Sequence, residues 1–285
     1  MLNRFTNSPR DYAAYIEQLC QSRDSYMYIV LRRQATDAIV VALAFYNYHL
    51  TTANASMLYI FDLIVDERER NRGLGTRLFQ TLIQEGKRAG ALSIVLQCDL
   101  TNTAAQRFFF RQGMMITSFG FSVDHLKPLP SSPDIQIIDI TDLPKEENED
   151  WLRRAQVVHR QFQPRLPTDP QKYIDQMRNI CRTNSTRILL AISNDNERNV
   201  LGLAACRVFL SIQYIKRYNC DDLITDETKR SLGVGRCLVN AMKDAAHRVG
   251  AHRVTLDSGC DRSRAHKFYY REGFVIDQFE FTLLF

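Results

Sequence analysis

Apolar residues along this chain follow two rhythms that alternate. Runs rich in β-branched and aromatic residues predict strands over 26–33, 39–49, 57–65, 92–98 and 116–124. Between the third and fourth of these, Leu74, Leu78, Leu82 and Gly86 recur at helical spacing and predict a helix over 74–89. A short helix over 103–111 precedes the last strand, and another over 8–22 precedes the first. From residue 135 the order returns. A strand over 135–140 and helices over about 147–163 and 170–182 lead to strands over 187–193, 199–210 and 218–225. Helix 235–249, strand 253–258, helix 263–271 and strand 275–284 follow. Strands alternating with helices in this way predict an α/β protein, its sheets covered by helices.

The return is also visible residue by residue. DLIVDERERNRGLG starts at Asp62 and DLITDETKRSLGVG at Asp222, an offset of 160. The same offset pairs Arg70 with Arg230, Gly73 with Gly233, Gly75 with Gly235, Ala105 with Ala265, Phe108 with Phe268 and Gly113 with Gly273, with no gap. A period this long is too long for a solenoid repeat and points to duplication of a whole domain. Lys127-Pro-Leu-Pro-Ser-Ser-Pro-Asp134 is poor in apolar residues and reads as an extended linker. The predicted units are therefore 1–127 and 135–285, joined by 128–134.

In each copy a strand ends, a charged turn follows, and two glycines open an amphipathic helix. The start of a helix offers unpaired N–H groups and a partial positive charge. Glycine lets the backbone approach a ligand and adopt positive φ, and successive N–H groups can curl into an anion nest. The pattern therefore predicts a diphosphate site at Arg70–Gly75 and at Arg230–Gly235, against the plainer reading of turn glycines. A Rossmann loop would need a third glycine where Leu78 and Leu238 stand, and a P-loop would need G-K-[ST].

Composition narrows the rest. A net charge of +5 over 285 residues, with a small excess in each half and no basic stripe, argues against a nucleic-acid binder. No apolar run is long enough to cross a membrane as a helix, and no secretory signal pattern opens the chain. Seven cysteines without a C-x-x-C spacing read as reduced thiols in a cytoplasmic setting, and the six histidines form no ligand-spaced cluster, so no metal is expected.

The paired motifs resemble the GNAT acetyltransferase superfamily. Its pattern is a strand, then R/Q-x-x-G-x-G/A, then about thirty residues on N-x-x-A-x-x-F-Y-x-x-x-G-F. The second copy has R230-S-L-G-V-G235 and A265-H-K-F-Y-Y-R-E-G-F274; the first has R70-N-R-G-L-G75 and N102-T-A-A-Q-R-F-F-F-R-Q-G-M114. The resemblance implies two GNAT folds in tandem, each a mixed central β-sheet flanked by helices. It implies acetyl-CoA as cofactor and a primary amine as acceptor, either a protein lysine or N-terminus or a small amine. Layout is similar to tandem bacterial effectors of the VipF type, which would place the protein in a host cell. By the same resemblance Arg230, Ser231, Leu232, Gly233, Val234, Gly235 and Arg236 would hold the pyrophosphate. Leu223, Ile224 and Thr225 would run beside the pantetheine arm. The first copy's equivalents are Arg70, Asn71, Arg72, Gly73, Leu74, Gly75 and Thr76, with Leu63, Ile64 and Val65; Asn102 is the family asparagine, replaced by Arg262 in the second copy.

The family places a tyrosine that protonates the departing thiolate second in the F-Y pair. That is Tyr269, with Tyr270 as its neighbour and rival, whereas the first copy has Phe109. A carboxylate can serve as general base. Asp257 is a candidate whose counterpart is Gln97. Asp222 is another, but Asp62 matches it, and both read equally as caps of the neighbouring turn. The expectation is a catalytic second half and a first half that binds CoA without chemistry. The alternative is a CoA-binding interaction module without activity.

Overall fold

The computed structural model describes residues 25–33, 37–124, 126–210, 216–229 and 231–285. The helix expected over 8–22 and Arg230 lie outside the described residues. The first half supplies β1 (Ser25–Arg33), β2 (Ala38–Leu50), β3 (Ser56–Val65), α1 (Leu74–Arg88), β4 (Ser93–Asp99), α2 (Thr103–Arg111) and β5 (Met115–Val123). The second supplies β6 (Ile135–Asp139), α3 (Lys145–Phe162), α4 (Pro170–Asn184), β7 (Arg187–Ser193), β8 (Val200–Leu210) and β9 (Lys216–Thr225). It ends with α5 (Val234–Arg248), β10 (Arg253–Gly259), α6 (Ser263–Arg271) and β11 (Val275–Leu284). The mixed α/β class expected from the sequence is present.

The pattern of each half in isolation does not show how the sheets join. All eleven strands form one sheet in the order β1-β2-β3-β4-β11-β5-β10-β9-β8-β7-β6. Each half surrenders its last strand to the other: β11 pairs with β4, β5 pairs with β10, and β5 and β11 pair with each other, all antiparallel. In the central pair Phe119 faces Phe279. These residues occupy the same position in the two copies, so a pseudo-twofold axis passes between them. Symmetry is visible on either side of it, where Asp257 faces Gly120 and Gln97 faces Glu280.

The exchange carries through to packing. The core under α1 and α2 includes Phe281 of β11, fully buried against Phe109 and Phe110 at ring separations of 5.5 and 5.1 Å. The core under α5 and α6 includes Phe121 and Val123 of β5. A third core lies on the opposite face, where α3 and α4 cover β7 and β8 with Trp151, Leu152, Tyr173, Ile174 and Met177. There α4 also reaches the first half: Gln176 Nε2 donates to the Thr52 carbonyl at 2.7 Å and Asn184 Nδ2 to the Leu50 carbonyl at 2.6 Å. The linker lies along α5, where Asn240 both donates to the Leu129 carbonyl and accepts from its N–H.

Two features position the site. The parallel pairing of β9 with β10 runs only from Arg217 to Cys220, and that of β3 with β4 only from Met57 to Ile60, so each pair parts towards its glycine loop. Both β3 and β9 also shift register against the neighbouring hairpin strand, which leaves Phe61 and Asp221 as the extra residues of matching β-bulges.

Phe281→Ala tests the exchange. Truncating a buried phenylalanine costs about 3–5 kcal/mol. Although Phe281 belongs to the second half, hydrogen exchange is expected to speed up first in β3, β4 and α1. Faster exchange confined to α5 and β10 would mean that the last strands are not exchanged.

Candidate active site

On the face covered by α5 and α6, a cleft of about 990 Å³ opens where β9 leaves β10. Its floor is the strand end Leu223–Thr225, its base the loop from Ser231 to Arg236, and one wall α6. Lys229, Arg262, Arg264, Lys267 and Arg271 line its rim, and Ser131 and Ser132 of the linker close one side.

The loop conformation follows from its sequence. Ser231 and Gly233 both have positive φ, +69° and +85°, and Asn71 and Gly73 repeat this at +62° and +78°. Left-handed residues alternating with ordinary ones turn successive N–H groups toward one side. Gly233 then starts α5, and Gly73 starts α1, with no side-chain cap, so the first N–H groups of both helices remain for a ligand. A Cβ on Gly235 would lie 2.8 Å from the Phe268 ring, so glycine here lets α6 pack onto the helix start. Free helix amides, a nest and a basic rim fit a diphosphate-bearing cofactor.

Side chains around the loops have more local duties. The Arg236 guanidinium is held by both oxygens of fully buried Glu272, at 3.0 and 3.2 Å, which leaves its backbone for the loop. Arg70 donates through Nε to the Val65 carbonyl at 3.2 Å, bracing the turn, and Arg72 pairs with Glu69 at 3.0 Å. Thr76 lies 3.5 Å from Gln112 and Leu74 opens α1. Leu63 and Val65 pack on the first-half core, whereas Ile64 is exposed. Asn102 accepts from the Ala105 N–H at 3.2 Å and caps α2. Its counterpart Arg262 gives α6 no such cap and stacks on Phe162 at 4.5 Å beside the cleft. Leu232 is exposed, and Val234 is buried in the second-half core.

The structure separates the two tyrosines. Tyr269 is 8% exposed and lines the cleft; its ring packs on Phe121, Phe268 and Phe274 at 5.1–5.9 Å. Burial, reinforced by the nearby Cys220 thiol and eased by Arg262, raises its pKa, so its hydroxyl keeps its proton. Tyr270 is 53% exposed, outside the cleft lining. In the first half Phe109 packs on Phe108 and Phe281 and offers no proton.

On the α3 side of the sheet, next along the chain from Leu223, lies a smaller cavity of about 160 Å³. Asp221, Asp222, Asp257 and Glu280 line it. Asp222 is buried and bonded to His159 Nε2 at 3.0 Å, and His159 Nδ1 lies 3.0 Å from the Tyr173 hydroxyl. This buried chain ties α3 and α4 to β9. Asp257 Oδ1 accepts from Gln97 Nε2 at 2.7 Å, so the two equivalent positions meet near the axis. Burial pushes Asp257 up to about 6, against the opposing pull of Gln97 and Arg217. Burial and the neighbouring Asp257 push Glu280 up to about 8. Burial also raises Asp221, opposed by Arg207, which it binds at 2.8 Å.

Asp221 and Glu280 were not among the sequence candidates. The offset of 160 could have found them, because it pairs Asp221 with Phe61 and Glu280 with Gly120. Every acid of the second half's cavity except Asp222 is replaced in the first half by an aromatic, amide or glycine. Among the described residues no cluster suited to a metal ion occurs, and no helix is long and apolar enough to cross a membrane.

Comparison with known proteins agrees with this geometry. The profile of the Acetyltransferase (GNAT) family matches twice, over residues 2–114 and 146–274. A protein named as an uncharacterized N-acetyltransferase, YhdJ of Bacillus subtilis, is 28% identical over 134 residues, covering 47% of this chain and 90% of its own. Among solved structures, a GCN5-related N-acetyltransferase from Sphaerobacter thermophilus superposes with a TM-score of 0.59 at 15% identity, covering 98% of this chain and 86% of its own. A tandem GNAT protein from the clavulanic acid biosynthesis pathway gives 0.55 at 12% identity, covering 92% and 84%. With two matched segments, two uncapped glycine loops and one parted strand pair beside each, this chain belongs to the GNAT acetyltransferase family.

Proposed function

We propose that the second half, residues 135–285, transfers an acetyl group from acetyl-CoA directly to a primary amine. The first half, 1–127, is proposed to bind CoA through its own loop without chemistry, with 128–134 as the linker. The observation that carries this reading is the placement of Tyr269 in the cleft on one side of the β9 end, with Asp257 and Glu280 in the cavity on the other. Acetyl-CoA supplies the acyl group and a thiolate leaving group. The loop amides from Ser231 onward hold its diphosphate, and the strand end Leu223–Thr225 aligns the arm. The amine nitrogen forms a bond to the acyl carbon, the carbonyl opens to an oxyanion, and the carbon–sulfur bond breaks as that oxyanion collapses. The proton released by nitrogen passes to a carboxylate of the Asp257–Glu280 pair, and the Tyr269 hydroxyl gives its proton to the sulfur. Strand N–H groups stabilise the oxyanion between these events. Asp222, held by His159, supports α3 in this scheme rather than reaching the amine.

Tyr269→Phe tests the acid. Release of CoA in the presence of mixed amines should fall by about 10² or more, while calorimetry shows unchanged acetyl-CoA affinity and two sites per chain. Full activity would remove Tyr269 from the mechanism, and tight binding without release from the wild type would identify a binding module.

The carboxylates generate a second expectation. Their folded pKa values lie above the ordinary carboxylate range. The fold therefore holds protons that the unfolded chain releases at about pH 4. The stability this contributes is full below that point and is lost as pH rises through about 6 and about 8. Activity should rise over the same window as the base is freed. Melting curves of Glu280→Gln should depend less on pH across this range than those of the wild type. Equal dependence would show that Glu280 ionises normally.

A further inference from the structure

We infer that the 160 Å³ cavity is the acceptor subsite and takes the amino end of an unbranched alkylamine with no carboxylate beside the amine, whether a free diamine or a lysine side chain. This rests on the transferase reading above and adds the class of acceptor to it.

Both halves of the chain supply the walls. The cavity is completed by His49 and Tyr59 of the first half and by Glu280 on the exchanged strand, so residues 135–275 alone do not form it. Its size matches a guest of roughly six heavy atoms, since an apolar cavity of about 150 Å³ holds benzene. Tyr59 and Phe209, with ring centroids 5.8 Å apart, give an alkyl stem apolar surface, while the Arg207 guanidinium lies over the Phe209 ring at 3.9 Å.

The charges then select the guest. Arg207 and Asp221 neutralise each other at 2.8 Å, and Asp222 is bonded to His159 and Gln163. Asp257 retains the Gln97 amide, with Arg217 held on the far side of that amide at 3.3 Å. Glu280 has no direct cationic partner within ion-pair distance among the described residues. Asp222 and Asp257 thus give the cavity a surplus of negative charge at neutral pH, and Glu280, beside Ser118 and Thr117, keeps its proton until a cation enters and makes its anion favourable. The cavity would accept an ammonium group, whose burial requires a paired anion, and would repel a carboxylate or phosphate.

His49 is a polar residue on the wall that the first half supplies. It is 6% exposed, and its Nε2 accepts from Arg207 at 3.0 Å, which places the ring proton on Nδ1. That Nδ1 is buried with no partner among the described residues. At the matching position the second half has Phe209, which needs no partner.

Calorimetry on the full-length chain with CoA present tests the assignment, using 1,5-diaminopentane, Nα-acetyl-lysine amide and β-alanine as probes. Both alkylamines should bind, β-alanine should not, and Glu280→Gln should weaken alkylamine binding by about tenfold or more. Tighter binding of the diamine would point to a free small molecule, and tighter binding of the lysine derivative to a protein side chain; both support the assignment. It is overturned if neither alkylamine binds, if β-alanine binds equally well, or if Glu280→Gln leaves affinity unchanged. Asp257→Asn, read the same way, decides the matter should Glu280→Gln fail to melt cooperatively. CoA release is measured separately: alkylamine binding without release would sink the transferase reading and leave the subsite in place.

Discussion

The antiparallel pairing of β5 with β11, centred on Phe119 and Phe279, is the constraint on which the molecule depends. It forces each half to complete the other's sheet and places Phe281 and Phe121 in cores that belong mainly to the opposite half. It also brings β4 and β10 close enough for Gln97 to hydrogen-bond Asp257. Without the exchange Glu280 would stand beside neither Asp257 nor Tyr59, and the acidic cavity would lose two of its walls.

On that shared frame the two copies have kept one property and parted on another. Both loops retain left-handed residues at matching positions and helices without side-chain caps, which are backbone features insensitive to most surrounding substitutions. The chemistry proposed for the second half would reside in side chains, and there the copies differ: Tyr269 against Phe109, Asp257 against Gln97, Asp221 against Phe61, Glu280 against Gly120. Buried acids with raised pKa values weaken a fold at neutral pH. Where such an acid is not needed an aromatic that packs can take its place, as Phe61 does between the Tyr59 and Phe209 rings.

The sequence made most of the local structure legible. Helical spacing in 74–89 and 235–249 and the β-rich runs around them located the described elements closely, because each element has one face turned to a core. The loops were legible because two glycines placed where a strand gives way to a helix mark a backbone that must curl without Cβ atoms. The joining of the sheets was not legible, since the pattern of a strand such as 275–284 says which face is buried and nothing of which neighbour it pairs with. Part of the site was hidden for the same reason. Asp221 reaches the cavity wall at a bulge, and Glu280 matters through a partner that only the exchange supplies. Asp222, a sequence candidate for catalysis, lies beneath α3 on His159, a helix residue that gave no sign of contacting it.

The exchanged last strand also orders events during synthesis. The first half leaves the ribosome well before residue 281, yet its core lacks Phe281 until the final segment is made. Its nascent sheet must wait with the edge of β4 unpaired, a state prone to association with other chains. The contacts that end this wait span nearly two hundred residues, so closure of β11 between β4 and β5 is a slow, long-range step. The chain therefore acquires its first finished domain only when it has acquired both.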